Sequence, residues 1–212
     1  MSGCRSRSTA VRTGAAGVPG HQRAEGGAGS DVYLYAPGDG RDTITGNDGL
    51  DVLRFADVDA GYLTYVTAGA SRHPMADPAD LNPDPVRGPR AEVVMRLTPP
   101  GEAGLRNLHK ALAMIAAAPM VEGLVLGPDA LVDLGAPLWD GAPFTAVLLA
   151  QDELAPLELP APAEAVRFLR AVPITANEAA WVRLKGADAL REAWADAGID
   201  PADPARVAAT LG

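Results

Sequence analysis

An α+β fold is predicted by three features of this 212-residue sequence. Short β-prone runs bounded by turn residues recur from residue 31 to residue 172. One apolar stripe of helical spacing interrupts them at 102–118, where Leu105, Leu108, Leu112 and Ile115 follow a three-four-three pattern. Near the C-terminus, finally, a strand turns directly into a capped helix.

Residues 1–30 are rich in Gly, Ser, Ala and Arg, with Val11 and Val18 as the only branched aliphatics. Such a segment cannot offset the entropy of ordering, and a disordered tail is expected. Its Arg- and Ser-rich start has the flavour of a targeting peptide but lacks an apolar core or amphipathic period. The segment Asp31–Tyr35 is the first β-prone run. Two nine-residue units follow, Pro37–Thr45 and Gly46–Arg54, which align Gly40 with Gly49, Asp42 with Asp51 and Ile44 with Leu53. This spacing resembles the Gly/Asp nonapeptide of calcium-binding β-rolls, in which aspartates hold the ion between stacked turns. It makes Asp39, Asp42, Asp48 and Asp51 candidate calcium ligands, although Pro37 and Asn47 replace expected glycines and two units are fewer than a stack needs. A plain turn leading into a strand at Leu50–Phe55 is the simpler expectation.

Strands are then expected at 51–55, 61–67 and 91–97, the last two separated by a proline-rich loop over 74–89. The helix at 102–118 is expected to stop at Pro119. Two apolar runs, 123–127 and 144–149, read as buried strands, with 131–141 mostly loop. In Ala165–Gly186 the alternation puts Val166, Phe168 and Val172 on one face, and Pro173 ends that strand. Thr175 and Glu178 then have the spacing of a capping box, in which each side chain bonds the other's backbone N–H. Trp181 and Leu184 are expected to pack, and Gly186 to close the helix. A second short helix at 187–197 carries Leu190 and Trp194 on one face, and Asp203-Pro204 starts a final turn.

Bulk properties exclude several classes of function. The chain is 48% hydrophobic and 21% charged, with a net charge of −9. The tail holds four arginines against Glu25, so the acidic excess lies in the body. An acidic body repels phosphate backbones, which argues against nucleic acid as the partner. No apolar run is long enough for a membrane span. Cys4 is the single cysteine, so no disulfide framework forms within one chain, and a reducing, cytoplasmic setting is expected. Lys110 and Lys185 are the only lysines among many arginines, a usage typical of GC-rich bacterial coding.

No catalytic constellation stands out. Gly69-Ala-Ser71-Arg-His73 approaches a hydrolase nucleophile elbow, which makes Ser71 and His73 the one hydrolase candidate. Position 73 should be glycine in that motif, and Pro74 prevents the helix that should follow. His109 has no partner at helical metal-ligand spacing, Gly38-Asp-Gly40 does not open a helix, and no P-loop is present. No catalytic, cofactor or metal-binding residue is therefore assigned, and no cofactor is expected.

Several segments carry a family resemblance: Val52-Leu-Arg-Phe-Ala-Asp, Tyr65-Val-Thr-Ala-Gly-Ala-Ser-Arg-His-Pro-Met, Arg90-Ala-Glu-Val-Val-Met-Arg-Leu, Leu138-Trp-Asp-Gly, and Phe168-Leu-Arg-Ala-Val-Pro-Ile-Thr-Ala-Asn-Glu followed by Lys185-Gly. From about Leu50 to Arg206 the chain resembles the suppressor-of-fused domain family in its compact bacterial form. The resemblance implies one domain over 31–212, a mixed β-sheet flanked by helices, and no catalytic residues. It further implies a protein-binding module, of which bacterial members are linked to immunity proteins that neutralise toxins. The expected partner is thus a protein, such as a basic toxin.

Overall fold

The computed structural model describes residues 11–13, 23–25, 31–35, 43–45, 49–57, 61–77, 79–100 and 104–212. Among them the strands are β1 (Val11–Thr13), β2 (Arg23–Glu25), β3 (Val32–Tyr35), β4 (Thr43–Thr45), β5 (Asp51–Asp57), β6 (Tyr62–Ala68), β7 (Arg90–Leu97), β8 (Leu131–Asp133), β9 (Phe144–Gln151) and β10 (Val166–Thr175). The α-helices are α1 (Leu108–Glu122), α2 (Ala176–Lys185) and α3 (Ala187–Asp196). One sheet runs in the order β1-β3-β5-β6-β7-β10-β9-β8, and β2 pairs with β4 apart from it. The β1/β3, β3/β5 and β7/β10 pairs are parallel, whereas β5/β6, β6/β7, β9/β10 and β8/β9 are antiparallel. The sheet is therefore mixed, as the resemblance implies.

Two apolar clusters fill the space on either side of the sheet. Val93, Met95 and Leu97 of β7, Leu169 and Ala171 of β10, and Val147 and Leu149 of β9 pack with Leu108, Leu112 and Ile115 of α1. Ala146, Leu148 and Ile174 pack with Ala179 and Val182 of α2 and with Leu190 and Trp194 of α3. Successive strand residues point to opposite faces, so β9 and β10 supply both clusters. Both faces of β10 are therefore covered: Leu169 and Ala171 are buried on one, and on the predicted face Val166 is buried while Phe168 and Val172 are partly so.

Several expectations from sequence are corrected. Short strands stand at β1 and β2, inside the segment expected to be disordered; the rest of that expectation lies outside the described residues. Helix α1 starts at Leu108, after the left-handed residues Gly104 and Asn107 (φ 64° and 68°), and runs through Pro119 to Glu122. Proline removes one hydrogen bond to the preceding turn, but only three residues of helix follow it. Residues 123–127 form no strand: Leu126 alone is buried, its N–H 3.2 Å from Met75 Sδ. The place beside β9 is taken by β8, within the stretch predicted as mostly loop.

Pro173 lies inside β10 and does not end it. Its carbonyl accepts a bond from Arg206 Nη2 at 2.9 Å. A strand residue points its nitrogen to the same edge as its carbonyl, so the nitrogen of Pro173 faces away from β9 and no ladder bond is lost. Pairing of β10 with β7 stops at Arg170, which leaves that edge to the C-terminal segment. Leu184, expected to pack, is 73% exposed.

Candidate functional site

Three buried carboxylates organise the body of the protein, each held by donors from distant segments. Glu178 sits at the third position of α2, where the capping box predicted from sequence forms in full: Thr175 Oγ1 accepts from Glu178 N–H, and Glu178 Oε2 accepts from Thr175 N–H at 2.8 Å. The same carboxylate accepts from Trp194 Nε1 at 3.0 Å and Ala209 N–H at 3.1 Å, and from both terminal nitrogens of Arg206 at 2.8 and 2.9 Å. Burial alone would raise its pKa. The Arg206 guanidinium and the N–H donors of Thr175, Trp194 and Ala209 outweigh that and hold it at about 2, against an ordinary 4.5. The guanidinium lies 4.8 Å from the Phe144 ring centre and 5.2 Å from that of Trp194. This constellation clamps the C-terminal segment onto α2 and β10.

Glu92 performs the equivalent task at the opposite end of the sheet. Its Oε1 accepts from Gly69 N–H, Ser71 N–H and the Ser71 hydroxyl at 2.9, 3.0 and 2.6 Å, and its Oε2 accepts from the Thr67 hydroxyl at 2.6 Å. Arg90 donates to the carbonyls of Ser71, Arg72 and Val86. Ser71, the hydrolase candidate, is thus an anchor for the β6–β7 connection. It sits in a one-turn 3₁₀ helix, Ala70–Arg72, and not on a strand-to-helix elbow, and His73 is exposed. Gly69 has φ 115°, and a Cβ there would stand 2.8 Å from the Gly49 carbonyl, so only glycine fits.

Asp152 closes the third network. Arg96 grips it with both terminal nitrogens, Leu154 N–H donates at 3.0 Å, and Arg170 Nε lies 3.7 Å away. Burial works to raise this carboxyl, but Arg96 and the Leu154 N–H carry it below the ordinary range. Arg96 and Arg170 also line a groove of about 400 Å³ between the diverging ends of β7 and β10, walled by Tyr62, Thr64 and Pro201.

Sequence reasoning identified the Thr175–Glu178 pair from its spacing. It missed Glu92, Asp152 and Arg206, whose side-chain partners lie up to 56 residues away in the chain, and nothing local marks such pairs. Of the candidate calcium ligands, Asp39, Asp42 and Asp48 lie outside the described residues. Asp51 opens β5 and is buried, its Oδ1 accepting from Asp31 N–H at 3.0 Å. No helix among the described residues is long and apolar enough to cross a membrane.

Among the described residues, the outer side of α1 is an uncommitted feature. From Ala111 to Val121 the helix contains no polar residue. Ala111, Leu112, Ile115, Ala116 and Ala118 face the core, while Met114, Met120 and Val121 are 57, 67 and 77% exposed. Helices apolar all round are ordinarily buried all round.

The described residues thus form a mixed sheet flanked by helices, in which Glu178, Glu92 and Asp152 tie distant segments together and one helix face stays apolar in solvent. The sequence profile described as suppressor of fused protein (SUFU) matches residues 46–207, and the chain belongs to that family. A SUFU homolog from Neisseria gonorrhoeae FA 1090 is 19% identical over 74% of this chain and 75% of that one, with a TM-score of 0.49. The Sufu–Fu complex aligns at 17% identity over 76% of both chains, with a TM-score of 0.51. Drosophila Suppressor of Fused also aligns at 17% identity, over 76% of this chain, with a TM-score of 0.50. The aligned region spans 42% of the Drosophila protein. At such identities the likeness to the Sufu–Fu complex and to the Drosophila protein is one of fold. No curated protein matches the chain.

Proposed function

We propose that this chain is a non-catalytic protein-binding module and that the outer face of α1 receives the partner. The carrying observation is the uninterrupted apolar stretch Ala111–Val121 with Met114, Met120 and Val121 in solvent. Contiguous apolar surface of this kind marks interaction sites, and methionine adapts to the shape of what it meets. Membership in the SUFU family and the structure of a relative as the Sufu–Fu complex support a binding role.

The finer reading is an immunity-type protein that neutralises a toxin. The net charge of −9 favours a basic partner such as a nuclease toxin, because opposite charge accelerates encounter. The single cysteine suits a reducing, cytoplasmic setting for that encounter. Affinity capture from the native host tests the reading. A single basic protein recovered with the wild type, and lost with Met114→Lys plus Val121→Glu, is the expected result. Recovery of nothing specific, or equal recovery by the variant, contradicts it.

A further inference from the structure

The N-terminal strands contain a pattern that the binding role does not use. β1, β3 and β5 stack in parallel in one sheet, and β2 and β4 stack in parallel in another, so consecutive strands alternate between two sheets. The registers Val32↔Val52 and Arg23↔Thr43 are each twenty residues apart. That is the topology of a stacked roll in which each turn contributes one strand to each sheet. In the sequence, Gly26-Gly-Ala-Gly-Ser-Asp-Val-Tyr-Leu34 provides a third nonapeptide ahead of Pro37–Thr45 and Gly46–Arg54, with Asp31, Asp42 and Asp51 at equivalent positions. Three units are what such a stack requires.

The register of β3 with β5 places Asp31 beside Asp51, and Val52 N–H donates to the Asp31 carbonyl at 2.9 Å. Both carboxylates are withdrawn from water, at 5% and 3% exposure. Oδ2 of Asp31 is buried with no hydrogen-bond donor among the described residues. Leaving a buried carboxylate oxygen unsatisfied beside a second carboxylate is costly. A divalent cation between the two removes both penalties.

We propose that Asp31 and Asp51 form a calcium site between successive same-sheet turns of this roll. Hard carboxylate oxygens select calcium or magnesium over softer metals. Calcium accepts six to eight oxygens in irregular geometry, whereas magnesium demands a near-ideal octahedron. Two aspartates set side by side by strand register, with water completing the shell, suit the former. A site with only two carboxylates belongs to the weak end of the calcium range. Its occupancy therefore follows the calcium level of the compartment, empty in a resting cytoplasm and filled outside it.

Titration calorimetry of the full chain with calcium chloride, stripped of metal beforehand, tests the proposal alongside thermal unfolding. Calcium is expected to bind and to raise the melting temperature in the millimolar range, with magnesium ineffective. Asp31→Asn and Asp51→Asn are each expected to weaken calcium binding by about tenfold or more, since affinity follows ligand charge. The amide introduced by Asp51→Asn keeps an oxygen for the Asp31 N–H, so that variant retains the local backbone bond. Absence of heat and of any melting shift in 10 mM calcium overturns the proposal (about tenfold above the weakest natural sites), and so does binding that both variants retain unchanged.

Discussion

Arg206 lays both terminal nitrogens against the two oxygens of Glu178, at 2.8 and 2.9 Å, from 28 residues away in the chain. Each side chain is almost wholly withdrawn from solvent, at 3% and 0% exposure. Glu178 caps the helix that follows β10, and Arg206 adds a bond to the Pro173 carbonyl at the free edge of that strand. One ion pair thus joins strand, helix and C-terminal segment.

Removing the cation alone strands the carboxylate. Arg206→Ala is expected to cost about 3–5 kcal/mol of folding stability, the range for breaking a buried pair from one side. Urea unfolding followed by circular dichroism measures it. A loss under about 1 kcal/mol, the worth of an exposed pair, contradicts the clamp.

The same pair sets an acid sensitivity. Glu178 is held at about 2 in the folded protein against an ordinary 4.5. A carboxyl depressed by folding contributes stability that is present above its unfolded pKa and lost as pH falls toward its folded pKa. The window is therefore from about 4.5 down to about 2, and the contribution is about 3 kcal/mol. Denaturant titrations between pH 6 and pH 3 are expected to show this slope in the wild type and a shallower one in Glu178→Gln. Parallel slopes in the two proteins contradict it.

Ser71 is an anchor. Ser71→Ala removes a 2.6 Å bond to Glu92 and is expected to destabilise the fold by about 1–3 kcal/mol, the cost of leaving a buried acceptor short of a donor. Any esterase turnover in the preparation is expected to persist unchanged. Turnover abolished in a variant that still folds would revive the hydrolase reading with His73.

Legibility from sequence divides along the range of the interactions. Thr175 and Glu178 are three residues apart, so their box can be read directly from the residue order, as can β5, β6, β7 and β9 from alternation and turn residues. What failed was decided at long range. Pro173 stays within a strand only because its edge meets Arg206. Residues 123–127 form no strand because β8 occupies the neighbouring edge of β9. Ser71 looked chemical because Glu92, which holds it, lies 21 residues on. In α1 the inner stripe of Leu108, Leu112 and Ile115 was evident. That the equally apolar outer face stands in solvent, at Met114 and Val121, was not.

The proposed binding role is tested at the outer face of α1. Met114→Lys and Val121→Glu change solvent-facing positions and should alter stability by no more than about 0.5 kcal/mol each. Calorimetric titration of the captured partner into wild type and into the double variant is the decisive measurement. Binding by the wild type, lost by at least tenfold (about 1.4 kcal/mol) in a variant of unchanged melting temperature, is the predicted result. Equal affinity for both proteins would contradict it.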